Sequence, residues 1–580
     1  MKKDDLQLAL ALRLLADAWD ELQRTSSAAQ HQGPGAIPRV PDLSLAGAER
    51  NAVAAKALLA RITALDEAAL PHPVAATLRQ ARFHFEGAAR QADWYWLVLD
   101  PTGLGFFGLF APTAYCGGFA MSKLLQVAPA VALERSADLD RYLGWVGDLA
   151  VMVEQMSDRT IGQRERGILV PRPQLPSVRG MIAGLKASAA QALGAAGKRV
   201  PADIDRGDAA RFRVELERRI ADVLSPAFER LAAVFDASYE AQAPEAVGMD
   251  QYPGGAEVYA ELVKRHTTLE LTPTQVHNRG LERMAHVQRE MYEIRAAAGF
   301  EGGDAAGYLA RAAADPRFSA DTVEGVTAVF QRYIDRMECV FDSAFLQRPT
   351  APHGVAALPP ALEASMTFGF YDVGKPGDPV GGRYMFNAAN LTRQPLLNIA
   401  SLTYHELVPG HHLHMASQGE SESLHPIARY AFCNAFNEGW AEYAATLAGE
   451  LGMYEEPEER YGRLIMDAFL TCRLVVDTGM NSLGWSLEQA RDYMRRNGSM
   501  AEAEVLTESL RYSCDIPAQS LAYKLGDTEM LRLREQQRSA LGDRFDLREF
   551  HTAVLGCGAM PIPDLEWSLG RLTEQAELTS

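Results

Sequence analysis

Eleven residues, Tyr404-His-Glu-Leu-Val-Pro-Gly-His-His-Leu-His414, constrain this chain more than any other stretch. Four of its thirteen histidines fall within these positions, and a Pro-Gly pair divides them. A zinc-hydrolase helix ordinarily carries His-Glu-x-x-His: two histidine ligands lie one turn apart, and the Glu acts as general base on a water the metal activates. Here the second histidine, His411, comes two residues later. In an ideal helix six residues turn about 600°, leaving His411 roughly 120° around the axis from His405. The Pro-Gly pair supplies the remedy. Pro409 cannot donate to the His405 carbonyl and Gly410 accepts unusual dihedrals, so a bulge or kink there swings His411 back beside His405. His412 is the alternative second ligand, and His414 a supporting or structural residue.

A second acidic stretch, Asn437-Glu-Gly-Trp-Ala-Glu442, completes the set. Glu438 and Glu442 are spaced i, i+4 and share a helix face. Glu438, beside Gly439, is the expected third ligand. Glu442 is expected to accept a hydrogen bond from a ligand histidine and fix its ring. Imidazole and carboxylate donors without thiolate fit one Zn²⁺ per chain, with Mn²⁺, Co²⁺ and Fe²⁺ as alternatives.

The rest of the chain reads as scaffold. Apolar residues are 47% and charged residues 23%, ordinary for a globular protein. Ala and Leu recur at helical spacing over 5–24, 48–66, 74–98, 135–158, 208–238, 255–297 and 318–346. Helical spacing returns over 431–451, 461–478, 487–496 and 521–540. Thr272-Pro273 is a helix start that can divide the 255–297 stretch. Gly103–Gly118 and the Pro-stiffened 167–176 read as loop and connector. The clearest strands are Ser365–Val373 and Arg383–Asn387, joined by a Gly/Pro-rich turn. The expected fold class is mostly α: a large multi-helix body with one small β-sheet or hairpin beside the metal-binding helix. Residues 1–249 form an N-terminal helical region and 250–580 the catalytic region, in one continuous helical body.

A net charge of −18 weighs against nucleic acid or an anionic membrane as partner, since both need a basic face. Six scattered cysteines without a C-x-x-C pair suggest free thiols in a reducing compartment. No stretch stays apolar for about 18 residues. The leucines near the start are interrupted by Arg13, Asp17 and Asp20, unlike a signal peptide. A cytoplasmic location is expected.

Further segments carry a resemblance. They are His405–His412 as H-E-x-x-P-G-H-H, Glu438–Ala441 as E-G-W-A, Arg473 with Asp477-Thr-Gly479, and Arg511-Tyr512 with Pro517, Gln519 and Tyr523-Lys-Leu-Gly526. Upstream, Tyr252-Pro-Gly-Gly255 and Thr272-Pro273 with His277 and Gly280-Leu281 also fit, as does Phe550-His551 near the end. With these the chain resembles the bacterial "domain of unknown function 885" family, grouped with gluzincin-type metallopeptidases, most strongly over about 250–570. The resemblance implies a helical fold with a deep cleft, related to thimet-oligopeptidase-like enzymes. It also implies zinc dependence and hydrolysis of a peptide or amide bond in a small peptide or amide-containing metabolite. His405, His411 and Glu438 would hold the metal and Glu406 would be the base. Tyr523 would donate to the developing oxyanion. Arg511 would pair with a substrate carboxylate, and Asn387 would line the place where an extended peptide adds to a sheet edge. One departure stands out: Met480-Asn481 occupies the place of the family's Leu-His. Asn481, as a substrate-contacting residue, can donate a hydrogen bond but cannot shuttle a proton near neutral pH. The alternative expectation is therefore a metal-dependent biosynthetic enzyme acting on a specialised metabolite.

Overall fold

The computed structural model describes residues 3–26, 35–300, 304–358, 369–374, 381–391 and 396–579. Among these residues the protein is mostly helical, with one three-stranded sheet. The described chain divides into two compact units. Met1–Ala69, Ala81–Leu262 and Leu510–Pro517 form one; Leu70–Gln80, Val263–Ser509 and Ala518–Ser580 form the other. Among the described residues, no helix is long and apolar enough to cross a membrane.

In the first unit a thirty-residue helix, Ser136–Glu165, buries Leu139, Leu143, Val146, Leu149, Val153 and Met156 along one stripe. Its buried Arg159 donates to the carbonyls of Tyr95 (3.0 Å) and Leu109 (3.2 Å), anchoring the Gly/Phe-rich loop. That loop ends earlier than expected, because a helix begins at Gly117 and runs to Val127. The expected 208–238 helix is instead Arg206–Arg219, a π-turn at Ile220–Leu224, and Ser225–Val234. Pro226 explains the interruption: it has no N–H to donate and its ring crowds the preceding turn. The Leu175–Gly194 helix was hidden by prolines that read as a connector. Pro176 falls in its first turn, where a missing N–H costs little.

The second unit is framed by two helix pairs: Pro273–Ala297 against Pro457–Ser482, and Asn434–Glu450 against Ala522–Leu541. In the first pair Met284, Val287 and Met291 meet Leu464, Ala468 and Cys472, with Tyr308, Phe318 and Tyr461 completing a core. Thr272 caps the Pro273–Ala297 helix in a reciprocal box with Gln275, so the 255–297 stretch is two helices. In the second pair the backbones touch. A Cβ on Gly439 would lie 2.6 Å from Gly526 Cα, and one on Gly526 would lie 2.3 Å from the Ala435 carbonyl oxygen. The glycines of the E-G-W-A and Y-K-x-G segments are thus the condition for this close crossing.

The sheet has the order β1-β3-β2, with β1 His353–Ala357, β2 Gly369–Asp372 and β3 Gly382–Phe386. β2 and β3 are the expected antiparallel pair, with Tyr371 opposite Tyr384. Residues 365–368 and 375–380 of that expectation lie outside the described residues. β1, parallel to β3, was not foreseen; His-Gly-Val-Ala-Ala carries little strand signal. Tyr384 and Phe386 alternate inward and pack on Phe330, with ring centroids 5.7 and 5.5 Å away.

Candidate metal centre

The helix carrying His405, Ile399–Glu406, stops where the sequence breaks. Leu407 N–H closes it onto the Thr403 carbonyl (2.9 Å), and a new helix, His411–Glu420, begins with His412 N–H returning to the Leu407 carbonyl (3.0 Å). The Pro409 carbonyl in between accepts from Trp440 Nε1 at 3.0 Å, tying the break to the Asn434–Glu450 helix. Gly410 is required for space, since a Cβ there would lie 1.8 Å from the His405 carbonyl oxygen. Two abutting helices, rather than one bulged helix, set His405 and His411 side by side, ring centroids 5.0 Å apart and planes at 90°.

Glu438 meets both rings. Its Oε2 is 3.3 Å from His411 Nε2 and 3.9 Å from His405 Nε2. One donor atom from each of the three residues falls within 4.8 Å of the others. Donors about 2.0–2.1 Å from a tetrahedral zinc sit roughly 3.3 Å from one another, so the set fits a three-residue site with a fourth position open. Burial pushes the Glu438 carboxyl up, but the bond from His411, the histidine charges and the Tyr523 hydroxyl outweigh it and hold it below its usual range. Burial disfavours the His411 cation, yet Glu438 and Glu406 raise it on balance. Glu406 keeps some exposed surface but is desolvated enough that its carboxyl is raised, against the pull of His405 and His411.

Behind His405, its Nδ1 faces Glu442 Oε2 at 3.5 Å. Glu442 Oε1 accepts from Arg463 (2.8 Å) and Lys524 (3.2 Å). Burial would raise this carboxyl; the two cations overcome it and hold it well below the usual carboxylate range. Tyr523 stacks on His405 with centroids 6.2 Å apart and planes 10° apart, and its hydroxyl donates to Glu438. The Arg473 guanidinium lies 4.5 Å from the Tyr523 ring centroid.

His412 turns the other way. Its Nδ1 is 2.8 Å from the Tyr371 hydroxyl and its Nε2 is 3.1 Å from the Ala351 carbonyl oxygen, so both ring nitrogens are engaged with the sheet region. His411 is therefore the histidine that joins Glu438. Tyr371, which sequence reasoning passed over, stacks on His411 with centroids 6.3 Å apart and planes 17° apart. Its signal was an aromatic residue in the strand preceding the motif. His414 bonds Gln418 at 2.9 Å within its own helix.

Asn481 is fully buried and donates from Nδ2 to the Asp477 carbonyl (3.0 Å) and carboxylate (3.1 Å). Asp477 also accepts from Ala518 N–H (3.1 Å) and the Ser520 hydroxyl (2.7 Å). The Asp-Thr-Gly segment thus holds the turn that opens the Tyr523 helix, and Asn481 is bonded to that segment. Asn387 is buried just after β3, its carbonyl accepting from Leu391 N–H at 3.2 Å. Arg511 belongs to the first unit, its guanidinium 4.7 Å from the Tyr115 ring centroid. The structure thus brings His405, Glu406, His411, Glu438, Glu442 and Tyr523 into one group.

Fold and site together define a mostly helical protein whose His-His-Glu centre is assembled from three helices around a Pro-Gly break. The chain belongs to the family described as "Bacterial protein of unknown function (DUF885)", whose model matches residues 27–569. Two similar solved structures are described as "putative lipoprotein". The one from Colwellia psychrerythraea is 23% identical with a TM-score of 0.84, covering 98% of this chain and 99% of its own. The one from Shewanella oneidensis, of unknown function, is 17% identical with a TM-score of 0.73, covering 96% and 99%. At these identities they share the fold. No curated protein matches the chain.

Proposed function

We propose that the protein is a zinc-dependent hydrolase of a peptide or amide bond in a small substrate, with the deep cleft of gluzincin-type, thimet-oligopeptidase-like enzymes. The observation that carries this reading is Glu406, a desolvated carboxyl next in sequence to His405, beside a His405–His411–Glu438 donor set within 4.8 Å. A structural metal site has no need of such a base. When bound, zinc supplies a Lewis acid that lowers the pKa of a water and polarises a carbonyl. Glu406 takes the proton of the attacking water and passes it to the leaving amine. Tyr523 turns its hydroxyl from Glu438 toward the oxygen on which charge develops. Glu442 holds His405 with Nδ1 inward and Nε2 outward.

Asn481, engaged with Asp477, supports a reaction in which Glu406 carries the proton. The biosynthetic alternative is separated by Asn481→His, which under that reading gains broad dipeptidase activity. The six cysteines, scattered without a C-x-x-C pair, favour a cytoplasmic location. Purified protein is expected to carry about one zinc per chain and to hydrolyse members of a panel of dipeptides and N-acyl amides. Glu406→Gln should keep the zinc and lose turnover by roughly 10²–10⁴-fold. A chain without affinity for zinc, or full turnover in Glu406→Gln, overturns the reading.

A further inference from the structure

Beneath Glu442 lies a group of buried charges that the proposed chemistry does not use. The Lys524 ammonium is bonded to Asp527 (2.7 Å) and Glu442 (3.2 Å) and lies 3.3 Å from Asp467. Arg463 joins Glu442 and the Thr446 hydroxyl (3.0 Å), and Arg283 pairs with Asp467. Lys524 is only 4% exposed and Glu442 1%. Burying such ions is costly, and replacing them by apolar side chains is often neutral or stabilising, so stability alone does not account for them. The arrangement has a direction, however. Both cations engage Glu442 Oε1, while Oε2 is left facing His405 Nδ1 at 3.5 Å. The contact is possible because the Lys524 helix crosses the Glu442 helix at Gly439 and Gly526. An ammonium is also the right cation: three N–H donors on one atom can serve three converging carboxylates, which the flat fork of arginine cannot.

We propose that Lys524, together with Arg463, is a positioning residue for the metal centre: it fixes Glu442 so that Oε2 orients His405 and keeps His405 Nε2 aimed at Glu438 and His411. This rests on the metal reading above, and the test separates the two. Zinc affinity is measured by chelator competition, and Co²⁺ is bound in parallel for its visible absorption spectrum. Lys524→Met and Glu442→Gln are each expected to weaken zinc roughly 10–100-fold, and the double variant no more than the worse single one. Both should shift the cobalt bands. Asp527→Asn, which removes a carboxylate bonded to Lys524 rather than to a proposed ligand, should stay within about 3-fold of wild type. Should Lys524→Met fail to fold by circular dichroism, Lys524→Gln takes its place. Wild-type protein that binds neither ion overturns the metal reading, and this inference with it. Wild-type binding with unchanged affinity and spectrum in the Lys524 variant overturns the inference alone. Equal weakening by Asp527→Asn overturns it too, since the network would then act through general stability.

Discussion

His405 and His411 face the same carboxylate, yet what stands behind each ring differs in kind. Behind His405 is charge: Glu442 is held ionised by Arg463 and Lys524. Apart from Glu438 and Glu406, which act on His411 directly, the groups seen at its ring and at its neighbour are neutral. Tyr371 stacks on its ring, and the neighbouring His412 is locked between the Tyr371 hydroxyl and the Ala351 carbonyl. A carbonyl can only accept, so His412 Nε2 carries the proton, Nδ1 accepts, and the Tyr371 hydroxyl donates. Burial, and then the nearby His353, push His412 down to about 3, consistent with a neutral ring. Charge orients His405 over distance and tolerates a 3.5 Å gap, whereas His411 is placed by ring packing and by a neighbour whose own hydrogen bonds fix its direction and tautomer. Under the proposed metal reading the two histidines should therefore fail under different perturbations.

The largest effects should not distinguish the sides. His405→Ala and His411→Ala each remove one of three donors and should abolish stoichiometric zinc, read by elemental analysis after dialysis. Retention of full zinc in His411→Ala would break the assignment and reopen the ligand set. A smaller effect separates them. Tyr371→Phe leaves His412 Nδ1 buried without its donor and should cost about 1–3 kcal/mol of stability. Zinc affinity should change by less than about 3-fold, because the ring that stacks on His411 remains. A loss as large as that expected for Lys524→Met would erase the contrast.

Acid should sharpen it further. An unfolded histidine takes up a proton near 6.5, whereas buried His412 resists until about 3. Between these values the unfolded state binds more protons, so stability falls as pH drops below 6.5, by up to about 1.4 kcal/mol per unit. Glu442 has its carboxyl held well below the ordinary 4.5, so its contribution is present above 4.5 and is lost only on further acidification. Thermal melts of metal-free protein between pH 7 and 4 should show this loss together with that of the similarly depressed His266, His414 and His551, and His412→Gln should lessen it by one histidine's share. An unchanged slope in that variant would sink the assignment.

Much of the centre was legible in the chain because it is written locally. The extra two residues between His405 and His411 demanded a break, and Pro409-Gly410 was the only pair nearby able to make one. The i, i+4 spacing of Glu438 and Glu442 put both carboxylates on one helix face. Thr272-Pro273 announced its helix start correctly. The misses were of another kind. Pro226 turned a long periodic stretch into two helices with a π-turn, while Pro176 hid a helix it could begin. β1 lacked the branched and aromatic residues that mark a strand, and its pairing with β3 depends on a parallel partner elsewhere in the chain. Tyr371 looked like any strand tyrosine, and Lys524, though part of the Tyr523-Lys-Leu-Gly526 segment, carried no role of its own.

The sequence by itself determined which atoms can act as donors, where the helix must break, and that the fold is mostly helical. These are properties of residue type and of spacing within a few turns. Only the tertiary structure decided that His411 rather than its neighbour His412 joins Glu438, that Gly410 must clear the His405 carbonyl, and that Lys524 reaches Glu442 from 82 positions away. Adjacent helix residues point about 100° apart. Which of them meets a given partner is set by how the helices and the sheet pack, and no local spacing encodes that.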